Sequence, residues 1–234
     1  MKAVKIEAYM QTAHFRIPTW VKREITYPLP PFSTVIGMVH KMCSWYCYHP
    51  MKISVAGSGV HNGQDGSILS TRWKGGQYAK TLSEEFTKRW SVIIKDGDGY
   101  IGWVSKPESE EFIEDLTLRL HIMPENQSEL EHIYNSLENP ATYISLGQHS
   151  DLMRIDKISI VDISDEQTIN ILDLDMYAPS ADIEEINAMQ YKLHKNYTIV
   201  RSRRQFVDIP SLYLSKTTEV LCCTDENGHP VFLV

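Results

Sequence analysis

Residues 27–48 read YPLPPFSTVIGMVHKMCSWYCY, and the change of character inside this stretch frames the rest of the chain. Pro28, Pro30 and Pro31 fix φ, lack an N–H and push the residues before them out of the helical region. Ser33 and Thr34 then offer side-chain oxygens where a helix N-cap is wanted. Val35, Ile36, Met38, Val39, Met42, Cys43 and Trp45 follow, apolar at helical spacing and nearly all round, which predicts a buried helix reaching toward His49-Pro50. Gly37 costs helix stability relative to alanine, so its missing side chain implies the close approach of another backbone or of a ligand. Two readings stand side by side. One is a tightly packed core helix; the other is a helix start that turns N–H groups and two hydroxyls toward a phosphate.

Working outward, residues 2–10 alternate Val4, Ile6, Ala8, Met10 against Lys5, Glu7, Tyr9, the pattern of a half-buried strand. Residues 11–31 read as a loop with the basic side chains His14, Arg16, Lys22 and Arg23. Residues 51–60 read as a second strand, with Gly57 and Gly59 marking a bulge or a close backbone approach. Residues 61–88 are polar and Gly-rich, with Arg72, Lys74, Lys80 and Lys88 among Trp73 and Tyr78. That mixture suits either a groove for a stacked, charged strand of nucleic acid or a solvated surface hairpin. Residues 90–95 and 100–104 flank Asp96-Gly97-Asp98-Gly99, a hairpin signal. Residues 111–122 read as a strand, with Leu116, Leu118, Leu120 and Ile122 on one face. A helix is predicted over 126–137 from Leu130, Ile133, Tyr134 and Leu137, bracketed by Pro124 and Pro140. A short apolar piece at 143–146 ends at Gly147, and 154–163 is a strand. The order is β-α-β-β-α-β, an α+β, ferredoxin-like (RRM-like) pattern with a long inserted hairpin. Beyond 165 the pattern changes. Residues 165–188 are acidic with weak periodicity, whereas 189–200, 206–214, 219–223 and 230–234 are β-rich, with Asn227-Gly228 as a last turn. The expected organisation is a domain over 1–164, with its inserted hairpin at about 61–104, and a smaller β-rich portion over 165–234.

The chain has 234 residues, 42% hydrophobic and 23% charged, which is ordinary for a globular protein. No apolar run approaches the ~20 residues of a membrane span. The start, MKAVKIEAYM, lacks a signal peptide's apolar block, so a cytoplasmic protein without membrane contact is expected. Cys43, Cys47, Cys222 and Cys223 do not form zinc-type spacings and read as reduced packing residues. No nucleotide loop or hydrolase motif is present, and no cofactor or metal is expected. Net charge is −7. Residues 162–185 carry acids without Lys or Arg, and residues 190–206 carry Lys192, Lys195, Arg201, Arg203 and Arg204 without an acid. A basic segment in an acidic protein points to a local anionic ligand, or to pairing with the acidic stretch just before it. If 190–200 is a strand, Lys192, His194 and Asn196 share one face and Lys195 and Tyr197 the other. Arg201, Arg203 and Arg204 then sit in or beside a turn, where guanidinium forks can clamp phosphates. Among groups for acid–base work, His40 with Lys41 and Tyr46 or Tyr48, or His194 with Lys195, would supply a metal-independent ribonuclease's inventory. His149 also follows Gly147-Gln148.

Three stretches together resemble the Cas-five family, the CRISPR-associated RAMP subunit of type I Cascade complexes. They are the Tyr-Pro-x-Pro-Pro-x-Ser-x-x-Gly entry to the helix (27–37), the run YISLGQHSD (143–151) and Arg204-Gln205-Phe206. The wording PPFSTVIGM is most similar to subtype I-B members. The resemblance implies a non-catalytic subunit that binds the 5′ handle of CRISPR RNA and caps the Cas-seven backbone in antiviral defence. It also implies contact with the Cascade large subunit and, through the complex, with target DNA. The inserted hairpin becomes a "thumb" with its tip in the 65–82 region. RNA contacts are then expected from Arg16, Tyr27, Ser33, Thr34, Gly37, Arg72, Lys74, Lys80, Gly147, Gln148, His149, Lys195, Arg201, Arg203, Arg204 and Gln205. The family often carries Arg after the glycine of the mid-chain loop; Gln148 stands there, which shifts the expectation from a charge contact to an amide contact. The competing expectations are a metal-independent endoribonuclease that processes precursor CRISPR RNA, and a structural adaptor whose basic face only balances its own acids.

Overall fold

The computed structural model describes residues 1–18, 24–60, 70–82, 92–96, 99–183, 188–201 and 203–234, with backbone alone for residues 60, 70–82, 92, 94, 96, 99–109, 182, 203 and 204. The elements run in the order β1 (Lys2–Ala13), α1 (Phe32–Met42), β2 (Met51–Val60), β3 (Ser70–Leu82), β4 (Val92–Asp96), β5 (Gly99–Pro124), α2 (Leu130–Glu138) and β6 (Arg154–Asp162). Then come β7 (Thr168–Ile171), β8 (Asp175–Pro179), β9 (Met189–Val200), β10 (Arg203–Leu214), β11 (Glu219–Thr224) and β12 (Pro230–Val231). The fold is a mixed α/β arrangement, mostly antiparallel sheet with two α-helices among the described residues. The main sheet has the strand order β6-β1-β5-β2-β8-β10-β9, and β12-β11-β7 form a small second sheet.

Strand β5 is read twice by its neighbours. Its second half lies between β1 (Val4↔Ile122 to Ala13↔Ile113) and β2 (Met51↔Pro124 to Val60↔Glu114). Its first half pairs with β3, from Ser70↔Phe112 to Leu82↔Tyr100, and β4 joins through Val92↔Trp103 to Asp96↔Gly99. The two strands expected at 100–104 and 111–122 are thus one strand of 26 residues. The polar stretch between them is held extended by the β3 ladder. The paired arm spans about 40 Å at ~3.3 Å per residue. Residues 70–82 of the region expected as the tip instead run the length of the arm, from Ser70↔Phe112 to Leu82↔Tyr100, and residues 65–69 lie outside the described ones. Asp96 pairs with Gly99 on either side of the expected DGDG turn, whose residues 97–98 lie outside the described ones.

The core follows the alternation. Val4, Ile6, Ala8 and Met10 meet Leu116, Leu118, Leu120 and Ile122 and the inner faces of α1 and α2 (Phe32, Val35, Ile36, Val39; Leu130, Ile133, Leu137) in one buried cluster. Burying each such side chain contributes about 1.5–3 kcal/mol. Gly57 meets its expectation of a close approach: a Cβ there would stand 2.7 Å from the Thr117 carbonyl. Strand β8 pairs with β2 through Ala56↔Met176 and Gly57↔Asp175, which carries the sheet on into β10 and β9.

Two expectations about charge and capping change. Lys5 does not face solvent: it is 3% exposed, because the segment around β11 and β12 covers that face of β1. Its Nζ donates to Asp225 Oδ2 at 2.7 Å and lies 2.7 Å from His229 Nδ1, and His121 Nε2 is 3.2 Å from the same carboxylate. The N–H groups of Asn227 and His229 donate to Asp225 Oδ1 at 2.9 Å each. Burial alone would raise the Asp225 carboxyl, but the bonds from His121, Lys5 and the His229 N–H hold it well below the usual carboxylate range. In α1, the N-cap is Pro31 without a side-chain cap, and Ser33 and Thr34 lie inside the first turn. The helix stops at Met42 rather than near His49, because Ser44 takes φ 55° and Trp45 leaves the helix to stack on His49 at 3.9 Å.

The Asp225 network generates a stability prediction. Replacing Asp225 by Asn leaves Lys5 buried without its counter-charge and should cost about 3–5 kcal/mol in urea unfolding at pH 7. Because the folded-state pKa is depressed, the carboxylate's contribution is present above about pH 4 and lost as pH falls from there. The variant should therefore show a flatter loss of stability between pH 5 and pH 3 than the parent, read from urea midpoints across that range.

Candidate nucleic-acid interface

An open cleft of about 710 Å³ lies between the solvent side of α1 and the β9–β10 hairpin. Helix α1 supplies Ser33, Thr34, Gly37, His40 and Lys41. The segment after it supplies Trp45, Tyr46 and Tyr48, and the hairpin supplies Lys195, Asn196, Tyr197, Ile199 and Phe206. Each wall has a local cause. The left-handed turn at Ser44 and the Trp45–His49 stack throw residues 46–48 outward, and His49 Nδ1 lies 2.9 Å from Glu129 Oε1, which ties the segment to the start of α2. Tyr46 is fully exposed and Tyr48 is 47% exposed, an unusual state for large rings in a folded chain. Asn196 Nδ2 donates to the Tyr48 hydroxyl at 3.4 Å across the cleft.

The hairpin does not alternate as expected. Its register skips between Val207 and Asp208, pairing Asp208 with His194 and Val207 with Asn196, so Lys195 is the extra residue of a bulge. His194 and Asn196 therefore fall on opposite faces, not on one. The His194 ring stacks on Phe206 at 4.3 Å, and Phe206 meets Tyr197 edge-on at 6.0 Å. Asp208 accepts from His194 and from Lys192 Nζ, the latter at 2.9 Å. Both side chains are thus held by Asp208 and turned to it rather than to the cleft. Two acids of 162–185 turn elsewhere: Asp173 accepts from Arg119 Nη1 and Nη2 at 3.0 and 2.7 Å, and Asp175 accepts from the Tyr213 hydroxyl and the Lys216 N–H. Lys195 remains at the cleft, its pKa lowered by burial. His40 is also lowered by burial, which favours its neutral ring near pH 7. Lys41 stands over the Tyr143 ring at 5.3 Å.

The expected contact residues separate into groups. Ser33, Thr34, Gly37 and Lys195 come together in the cleft. Arg201 is exposed, with φ 50°, just after Val200, which pairs with Arg203, and Gln205 is exposed on β10. Arg203 and Arg204 begin β10, and Arg72, Lys74 and Lys80 lie on β3; their side chains fall outside the described residues. Arg16 is exposed and pairs with Glu24 at 3.4 Å. Tyr27 is buried in the main core against Tyr191, because the proline-stiffened lead lies on the sheet; its ring is not available at the surface. Gly147, Gln148 and His149 lie away from the cleft, at the root of the arm. Gly147 takes φ +91°, a Cβ there would stand 2.7 Å from the His14 carbonyl, and Gln148 donates to Glu110. His149 is exposed. Sequence reading missed Tyr197 and Phe206 as cleft residues and counted Tyr46 and Tyr48 only toward catalysis.

Chemically, the cleft joins aromatic faces, two hydroxyls and two lysines. That combination suits unstacked bases with their phosphates, since base–aromatic stacking contributes about 1–3 kcal/mol per base. With this geometry in hand, comparison with known proteins is informative about the fold. A chain of a CRISPR RNA-guided surveillance complex has a TM-score of 0.53 and 12% identity, covering 94% of this chain and 91% of its own. A CRISPR protein from Archaeoglobus fulgidus has a TM-score of 0.52 and 11% identity, covering 100% and 98%. Both share this chain's fold over nearly its whole length. No family model and no curated protein matches the sequence.

Gly37 settles one local question. Among the described residues nothing lies within 4 Å of a Cβ built there, so no described backbone packed against α1 requires the glycine. Gly37→Ala should fold and gain about 0.5–1 kcal/mol in urea unfolding. Gly147→Ala should lose stability, because the position combines a left-handed backbone with a 2.7 Å contact. Equal effects of the two substitutions would contradict these environments.

Proposed function

We propose that this chain is the Cas-five-type RAMP subunit of a type I Cascade complex, of subtype I-B character, and that it holds the 5′ handle of CRISPR RNA. The single observation that carries the reading is the cleft itself, where the Gly37 face of α1, two lysines and a row of exposed rings converge. Support for the CRISPR setting comes from the fold shared with the two CRISPR proteins and from the three motifs in order. The strand order β6-β1-β5-β2 around α1 and α2 supports the ferredoxin-like assignment for residues 1–164, with 165–234 as the added β-rich portion. The β3–β4–β5 arm is the thumb of this reading and would meet the Cas-seven backbone. Arg201 is exposed at the end of the hairpin beside the cleft, and this reading expects Arg203 and Arg204 to join it in holding the handle phosphates. The large subunit and, through the complex, target DNA complete the partners of a cytoplasmic assembly.

The test is binding of handle-bearing RNA by the purified chain or its assembled complex. Lys195→Ala combined with Tyr48→Ala should weaken binding at least tenfold and reduce the salt slope by about one. Gly37→Trp should fill the cleft and abolish handle dependence while leaving the fold intact. Unchanged affinity in both variants would remove the cleft from the interface.

A second reading has one observation in its favour. The cleft gathers His40, Tyr48 and Lys195, with the His40 and Tyr48 rings 5.7 Å apart, and a lowered His40 pKa is suited to a general base. A metal-independent endoribonuclease would cut repeat RNA in EDTA and lose that activity with His40→Ala. His194 fits this role less well, since Asp208 holds it.

A further inference from the structure

At the root of the arm, three segments distant in sequence converge on a buried histidine. His14 follows β1, Glu24 forms a parallel bridge with Glu110, and Glu110 lies where β5 leaves the main sheet for the arm. One nitrogen of the His14 ring and one carboxylate oxygen each from Glu24 and Glu110 lie within 4.8 Å of one another. His14 is 1% exposed and Glu110 is 1% exposed. His14 Nδ1 lies 2.6 Å from the Glu111 carbonyl, to which its N–H donates, and 3.7 Å from Glu110 Oε1. That bond fixes the tautomer and leaves the lone pair on Nε2, which is enclosed and has no hydrogen-bond partner. A histidine that donates one N–H to a backbone carbonyl while its other nitrogen stays bare is prepared as a metal ligand. Two carboxylates beside it supply the hard oxygens and the negative charge that a dication balances.

We propose that His14, Glu24 and Glu110 bind one divalent transition-metal ion, of the zinc or manganese class. Imidazole in the set favours such ions over magnesium. The ion would join the end of β1, the strand segment at Glu24 and the root of β5, and so stiffen the junction from which the arm extends. Arg16 Nη1, 3.4 Å from Glu24, and the Gln148 amide on Glu110 are among the neighbours that the ion would displace or share. Arg16 is 55% exposed and has room to turn outward. The site is separate from the α1–hairpin cleft and does not depend on the proposed function.

The experiment is a zinc titration of the full chain after EDTA dialysis, read by calorimetry and by bound-metal analysis. One zinc per chain should bind, with a rise in melting temperature. Glu24→Gln, at a half-buried position, should fold as judged by circular dichroism and weaken zinc at least tenfold. His14→Gln should abolish binding if it folds; the Glu24 variant keeps the test decisive if it does not. Failure of the parent chain to bind stoichiometric zinc, or equal affinity in a folded Glu24→Gln variant, would overturn the site.

Discussion

Strand β5 is the constraint on which the rest of the structure depends. It is paired along both edges at its second half and again along its first half, so its register fixes β1, β2 and β3 together. A one-residue slip would turn Leu116, Leu118, Leu120 and Ile122 out of the core and break all of these pairings at once. The same strand sets the root of the arm at Glu110 to Phe112 and, through β1 and β2, the plane on which α1 lies. The cleft's position is therefore a consequence of that register.

Charge distribution narrows where an anion can be held. Several of the described basic side chains are already engaged: Lys5 by Asp225, Arg119 by Asp173, Arg154 by Asp156, and Lys192 with His194 by Asp208. Lys41 and Lys195 stand at the cleft, and Arg201 stands at the hairpin turn beside it. An acidic protein can in this way present a confined cationic track without binding polyanions over its whole surface.

Much of the architecture was legible from local pattern. Strands β2 and β9 fall over the residues read as β-rich, and α2 lies between the prolines that bracket it. The body of α1 is core, as its apolar surround required. What escaped was set by distant partners. The continuity of β5 through a polar stretch exists because β3 pairs with it, and β7 and β8 form inside the acidic stretch through β11, β2 and β10. Lys5 is buried only because a segment more than two hundred residues later folds over it. The end of α1 was decided by the stacking of Trp45 on His49, which helical periodicity does not encode. The bulge at Lys195 changed which side chains of the basic segment share a face. The grouping of His14 with Glu24 and Glu110 has no short-range signal. For the cleft, Ser33, Thr34, Gly37 and Lys195 were readable, whereas Tyr197 and Phe206 became visible only once the hairpin lay against α1.

The most direct measurement for the central claim is zero-length photocrosslinking of handle-bearing RNA to the assembled chain, mapped by mass spectrometry. The account predicts crosslinks concentrated at Tyr46, Tyr48, Tyr197 and Phe206, lost when the handle sequence is removed from the RNA. Crosslinks confined to other surfaces, such as the exposed face of β7 and β11 with Ile169 and Leu221, would contradict it.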